Sequence, residues 1–155
     1  MTLNVILGAG GFARETALVY ATTGYHFDGY LSDDLKQHGK VYEFGECLGS
    51  IDDIDDPHVY FTPGIGSPWV KEQLVQRALA KGWKPQTVIS MRAMLPISFR
   101  DAKFSVGEGS VICAGVSGTV NVKVGDYVNV NLNCTLGHDC VIENYVNLTP
   151  DVNVS

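Results

Sequence analysis

From Val106 onward, aliphatic side chains return at every sixth position: Val106, Ile112, Val124, Val130, Leu136, Ile142, Leu148 and Val154, with Gly118 as the one interruption. Four places after each runs a second column of compact residues, Ser110, Val116, Val122, Val128, Cys134, Cys140, Val146 and Val152. A period of six cannot come from an amphipathic helix, whose apolar residues would then drift around the whole circumference. It suits short strands laid along the faces of a triangular prism, three hexads to a coil. The pattern therefore predicts a left-handed parallel β-helix over residues 92–155. Gly107, Gly125, Asn131 and Gly137, which follow the aliphatic column, are the expected corners, where the backbone leaves ordinary β geometry.

The first 91 residues follow a different rhythm. Leu3 to Leu7 is a short apolar run that ends in Gly8-Ala9-Gly10-Gly11, and a helical stretch follows from Phe12 to Ala21, stopped near Gly24. His26–Leu31 and Val59–Thr62 read as further strands. Val70, Leu74, Val75, Ala78 and Leu79 recur at helical spacing between Pro68 and Lys81, with Gly82 just beyond. A strand at Thr87–Ser90 is expected to complete a small parallel sheet, and Arg92–Phe104, with Pro96 inside it, an irregular link. The expectation is an α/β, Rossmann-like domain over residues 1–91.

Strand, glycine turn and helix form the first unit of a nucleotide-binding fold. Gly8, Gly10 and Ala13 satisfy the G-x-G-x-x-G/A spacing, with Asp28 or Asp33 at the place of a ribose-binding acid. The physical content is that a phosphate approaches bare backbone and meets the positive end of a helix. Asp33 and Asp34 bind a base or ribose, or else cap a turn; both readings stay open. Asp52-Asp53-Ile54-Asp55-Asp56 reads as a solvated loop. An NAD-dependent enzyme shares the glycine spacing, but the β-helix occupies the stretch where its substrate domain would stand.

With 45% hydrophobic and 18% charged residues in 155, the chain suits one or two small globular domains. A formal charge of -6 and a pI of about 5.0 leave no basic stripe for a duplex, so no nucleic acid partner is expected. No run is apolar enough to span a bilayer, and the amino terminus enters a strand directly rather than an export signal. A cytoplasmic protein without membrane insertion is expected. Of the four cysteines, Cys134 and Cys140 lie in an inward column and read as packed thiols. A zinc site joining them to His138 is set aside, because His138 falls at an outward or corner position while both sulfurs point inward, and no metal is expected.

The combination is more specific than its parts. A G-A-G-G-F-A-R turn at Gly8 to Arg14, the acidic pair Asp33-Asp34, Ile65-Gly66, and hexads containing G-H-D-C at Gly137 to Cys140 resemble the sialic acid O-acetyltransferase family. That family is similar to the bacterial nucleotide-sugar N-acetyltransferases, which acetylate the amine of UDP-linked amino sugars. The resemblance implies acetyl-CoA-dependent N- or O-acetylation of a nucleotide-linked sugar in bacterial surface glycan synthesis. It implies that Gly8, Gly10, Gly11, Phe12, Asp33, Asp34 and Gly66 serve the nucleotide sugar, that the β-helix forms a homotrimer, and that acetyl-CoA lies between prisms near Gly137 and Asn147. The catalytic histidine of the H-D-C motif is here His138, which chemistry supports. Attack on a thioester requires a proton acceptor suited to neutral pH. Asp139 is placed to orient the ring, and a backbone amide, that of Gly137 or of an adjoining subunit, to hold the oxyanion.

Several positions depart from the family pattern. Many relatives have a second histidine nine residues beyond the first, where this chain has Asn147, and Glu143 and Asp151 stand where glycine is common. The sequence ends at Ser155, partway through a coil, so the β-helix is expected to be C-terminally incomplete. A second reading follows from that truncation, a non-catalytic module that binds nucleotide sugar and assembles subunits.

Overall fold

Val5, Ile6 and Leu7 are wholly buried at the centre of the first sheet in the computed structural model, which describes residues 2–155. They belong to β1 (Leu3–Leu7), which is followed by α1 (Gly11–Thr23), β2 (Gly29–Leu31), β3 (Val41–Tyr42), β4 (Gly45–Gly49), β5 (Val59–Pro63), α2 (Pro68–Ala80) and β6 (Lys84–Pro85). The strand order is β3-β4-β2-β1-β5-β6, all parallel except the β3–β4 hairpin. Both helices end as their punctuation predicts: Gly24 is left-handed (φ 75°) after α1, Ser67 caps α2 with Pro68 in its first turn, and Gly82 (φ 79°) follows it. The hairpin and β6 escape a reading by pattern, because Gly45-Glu46-Cys47-Leu48-Gly49 has no β-branched residue and Lys84–Pro85 is only two residues long.

Contacts divide the chain into one unit up to Gln86 and another from Thr87 on. In the second, residues pair with partners eighteen positions away: Ser117 with Thr135 and Thr135 with Asn153, Lys123 with Val141, Asn129 with Asn147. Eighteen is three hexads, so each coil turns through three short strands. Both columns of the repeat enter one core. Ile112, Val116, Val122, Val124, Val128, Val130, Cys134, Leu136, Cys140 and Ile142 are buried there, with Val106, Val146, Leu148, Val152 and Val154 packed against them.

Two expectations about the start of the prism are corrected. Val88–Ile89 does not complete the N-terminal sheet; it pairs with Val111–Ile112, at a register of 23 rather than 18. Met94 likewise bridges Ser117. The segment from Arg92 to Phe104 is thus part of a coil with a five-residue excess, taken up around the 3-10 turn Arg100–Ala102, and Ile89, Ala93, Leu95 and Phe104 all join the core. This also explains the break at Gly118. A Cβ there would lie 2.3 Å from the Phe104 ring, whose bulk fills the place of the missing side chain.

The corners fall elsewhere than expected. Gly109, Gly115, Asn121, Tyr127, Asn133, Asp139, Tyr145 and Asp151 all have positive φ, and all stand three places after the aliphatic column. Gly107, Gly125 and Gly137 are not left-handed; they are small because coils pass closely. A Cβ on Gly107 would come within 2.4 Å of the Gly125 backbone, and one on Gly137 within 3.0 Å of the Val154 carbonyl. Tyr127 and Asn129 lie outside both inward columns and yet are buried, and the Tyr127 ring stacks on Tyr145 at 5.1 Å. Among the described residues, no helix is long and apolar enough to cross a membrane.

Candidate functional site

Two groups of the expected site residues lie in separate units. In the first, the strand order reverses direction between β1 and β5, and a ligand crevice in such a sheet lies outside the carboxyl ends of the strands at this point. Gly8 and Gly64 follow those two strands. Gly8 donates its amide to the Leu31 carbonyl at 2.6 Å and Gly64 to that of Leu7 at 2.8 Å. Both are required by the fold: Gly8 has φ 107° and a Cβ would meet Ile65 at 2.5 Å, while one on Gly64 would meet Ile6 at 2.6 Å and the Ala13 backbone at 2.7 Å.

Gly10, Gly11 and Gly66 are different. None has a positive φ, and a Cβ on each would find nothing within 4 Å. The fold therefore has no steric need for glycine at these three positions. Gly10 precedes α1 without a side-chain cap, and Phe12 lies in that helix's first turn, whose amides lack intrahelical acceptors.

Beside this turn is a cavity of about 220 Å³, with Leu7, Leu31 and Ile65 on its apolar side and Ser32, Asp33 and Asp34 on its polar side. The two aspartates have different surroundings. Asp34 organises the turn after β2, accepting from the Lys36 amide at 3.0 Å and the Gln37 side chain at 3.3 Å. Asp33 is held by both guanidinium nitrogens of Arg77, one of which also reaches Asp52 at 2.9 Å. Pairing with Asp33, and then with Asp52, raises the Arg77 guanidinium above its ordinary range. Asp28 is excluded from the pocket: it stands before β2 and accepts from the Asn4 amide at 2.7 Å, at the far end of the strands. Asp52 and Asp53, expected in a solvated loop, have defined places, since Ile51–Asp53 is a 3-10 turn with Ser50 and Asp53 capping each other. Arg77 gave no sequence signal, being one polar residue on the exposed side of a helix. Lys71 of α2 is fully buried, and burial pushes its ammonium down to about 7.

In the second unit, His138 and Asp139 stand at an exposed corner. Asp139 is the left-handed residue (φ 63°), which turns its side chain back toward its neighbour, and His138 Nδ1 lies 2.7 Å from Asp139 Oδ2. The other carboxylate oxygen accepts from the Asn121 side chain at 2.5 Å. These bonds from Asn121 and His138 hold the Asp139 carboxyl below the usual carboxylate range. An ionised carboxylate only accepts, so the ring proton sits on Nδ1 and the Nε2 lone pair faces outward. Cys134 and Cys140 are buried, which raises both thiols, and Cys134 donates to the Thr149 carbonyl at 3.1 Å, away from the histidine.

Two other expected residues do not join this corner. The Gly137 amide is donated to the Val154 carbonyl at 2.7 Å, so the coil ladder already uses it and it is not available to an oxyanion. Asn147 pairs with Asn129 on a different face of the prism from His138.

Residues 5–78 match the PglD N-terminal domain family. Over 97% of its length the chain is 26% identical to the GDP-perosamine N-acetyltransferase of Escherichia coli O157:H7, 68% of which is covered. The acetyltransferase domain of PglB from Neisseria gonorrhoeae FA1090 in complex with acetyl coenzyme A matches at TM-score 0.83 and 25% identity, over 98% of this chain and 72% of that one. PerB from Caulobacter crescentus, solved with CoA and GDP-perosamine, has a TM-score of 0.83 at 20% identity, covering 97% of this chain and 70% of its own. The resemblance and the fold class read from the residues, a Rossmann-like domain followed by a left-handed β-helix, are borne out.

Proposed function

We propose that the protein transfers an acetyl group from acetyl-CoA to the amine of a nucleotide-linked sugar, with His138 as general base. The observation that carries this reading is the His138–Asp139 pair at 2.7 Å, which turns the basic Nε2 outward on an exposed corner. As the sugar amine attacks the thioester carbonyl, the N–C bond forms and Nε2 takes the amine proton. Collapse of the tetrahedral adduct breaks the C–S bond, and the proton passes to the departing thiolate. Asp139 stabilises the imidazolium between those steps. With the Gly137 amide engaged, the oxyanion donor belongs to another group, and a neighbouring subunit is the remaining source among those expected.

The nucleotide sugar belongs at the turn of the first unit, where Gly10, Gly11 and Gly66 leave backbone bare and Phe12 begins a helix. The acid-rimmed cavity beside it suits the nucleoside. Its identity as a GDP- or UDP-sugar is open to direct test; the similar enzyme from Escherichia coli is a GDP-perosamine N-acetyltransferase.

The reading includes a homotrimer acting in the cytoplasm, where acetyl-CoA is supplied. Support for assembly comes from the surface beside the histidine: Met94, Ile97 and Val120 are exposed, and Val120 stands eighteen positions before His138, in register with it. An apolar strip of this kind gains by packing against another copy.

The test is to mix the full chain with acetyl-CoA and a panel of GDP- and UDP-linked amino sugars and to follow free thiol. Steady release with one donor supports acetyl transfer. Binding of a nucleotide sugar with no release by any donor favours the binding-module reading instead.

A further inference from the structure

We propose that Asn121 is a positioning residue for acetyl transfer, fixing from the preceding coil the carboxylate that orients His138. The inference rests on the reading of His138 as the base.

Asp139 has one oxygen on His138 Nδ1 at 2.7 Å, and that bond alone would leave the carboxylate free to rotate at an exposed corner. The second oxygen accepts from Asn121 Nδ2 at 2.5 Å, so the group is held on both sides and its plane is set. The donor is itself fixed. Asn121 occupies the same corner one coil earlier, is left-handed like Asp139 (φ 56°), and donates its backbone amide to Ala102 at 2.6 Å; Asp139 in turn donates its amide to Val120 at 3.2 Å. Glycine, asparagine and aspartate are the residues that readily take such a backbone. Of these, only asparagine brings a hydrogen-bond donor: glycine would leave the oxygen bare, and aspartate would set a second carboxylate against the first. The corner geometry and the chemistry therefore select the same residue.

The charged and titratable groups around this carboxylate are few. His138 adjoins it, Lys103 stands in the corner one coil below Asn121, and the buried Cys140 thiol follows it in the chain. Losing the Asn121 donor leaves one carboxylate oxygen without its fixed partner, so the plane of the group, and with it the His138 ring, is no longer set.

The test uses the full chain with Asn121→Gly, which retains the left-handed backbone, and Asn121→Asp, which retains the shape and reverses the hydrogen-bonding role. Asn121→Gly is expected to lower kcat about 5- to 20-fold, with KM for both substrates changed less than about twofold. Asn121→Asp should lower kcat further. In an Asp139→Asn background, Asn121→Gly should have little additional effect, because the group it positions is already gone. Wild-type kcat in folded Asn121→Gly, measured beside an inactive His138→Ala, would overturn the role of Asn121 while leaving the base in place. An active His138→Ala would instead remove the base, and the inference with it.

Discussion

In the β-helix, Asn121 meets Asp139 because eighteen residues make one coil, whereas in the α/β unit Asp33 meets Arg77 across forty-four residues that obey no repeat. One contact follows from counting along the chain. The other exists only because α2 packs where it does and β2 ends where it does. The β-helix therefore depends on number, since any extra residue must be taken up at a turn if both inward columns are to keep their register. Its single irregular coil shows the cost of departing from the count: the five-residue excess before Phe104 is matched by a glycine at position 118. The α/β unit works the other way, tolerating variation in loop length while depending on a few close approaches at Gly8 and Gly64.

The largest effect that would sharpen this comparison is chemical. His138→Ala is expected to lower acetyl transfer by about 10²- to 10⁴-fold, as loss of a general base does, while thermal unfolding stays where it was, because the side chain is exposed and no core atom is removed. Near-normal turnover in that variant would break the assignment of the corner.

Packing comes next. Phe104→Ala should cost about 3–5 kcal/mol in urea unfolding, the range for a buried aromatic emptied from a core. Gly118→Val should cost about 1–3 kcal/mol by overpacking against the same ring. Combined, the two should cost clearly less than the sum, because each relieves the fault of the other. Strict additivity would show that the ring and the glycine are not coupled.

For the α/β unit, Arg77→Met should weaken binding of the preferred nucleotide sugar several-fold by calorimetry, since Asp33 loses its bidentate partner at the pocket wall. Stability should change by less than about 1 kcal/mol, as is usual for exposed ion pairs. A large stability loss with unchanged affinity would make Arg77 a structural residue and nothing more.

The last effect is a slope. Lys71 is held near 7 by burial, below its unfolded value of about 10.4. Between those two values the unfolded chain carries a proton that the folded chain lacks, so stability should rise with pH across that window and be flat below it. The buried Tyr20 and Tyr30, pushed up to about 12, act in the opposite sense only above pH 10. Urea unfolding from pH 7 to 9.5 should show the rise, and Lys71→Met should remove it.

Much of the prism was legible because its signal is local and repeated: eight hexads each vote for the same period, and no single exception, such as Gly118, can outweigh the rest. The corner position of His138 was legible for a related reason, since it stands outside both inward columns, while its proposed role rested on the resemblance carried by the H-D-C motif. The corners were misplaced because a glycine after the aliphatic column has two explanations, freedom of φ or close approach, and only coordinates distinguish them. Among the glycines of the first unit the same ambiguity hid a division, with Gly8 and Gly64 required by close approaches in the fold and Gly10, Gly11 and Gly66 under no steric demand from it. The short strands β3, β4 and β6 were missed because pairing with neighbours, rather than their own side chains, makes them strands.

By itself, then, the order of residues determined the two architectures, the inward columns and the place of the histidine, because burial of apolar surface is a coarse force that a periodic pattern expresses directly. The tertiary structure alone decided which polar atoms meet. It gave Asn121 to Asp139 and Arg77 to Asp33, assigned Asp34 to a turn, and spent the Gly137 amide on the coil ladder. Hydrogen bonds depend on a few tenths of an ångström and on angle, and distances of that size are set only when the elements carrying the partners have packed.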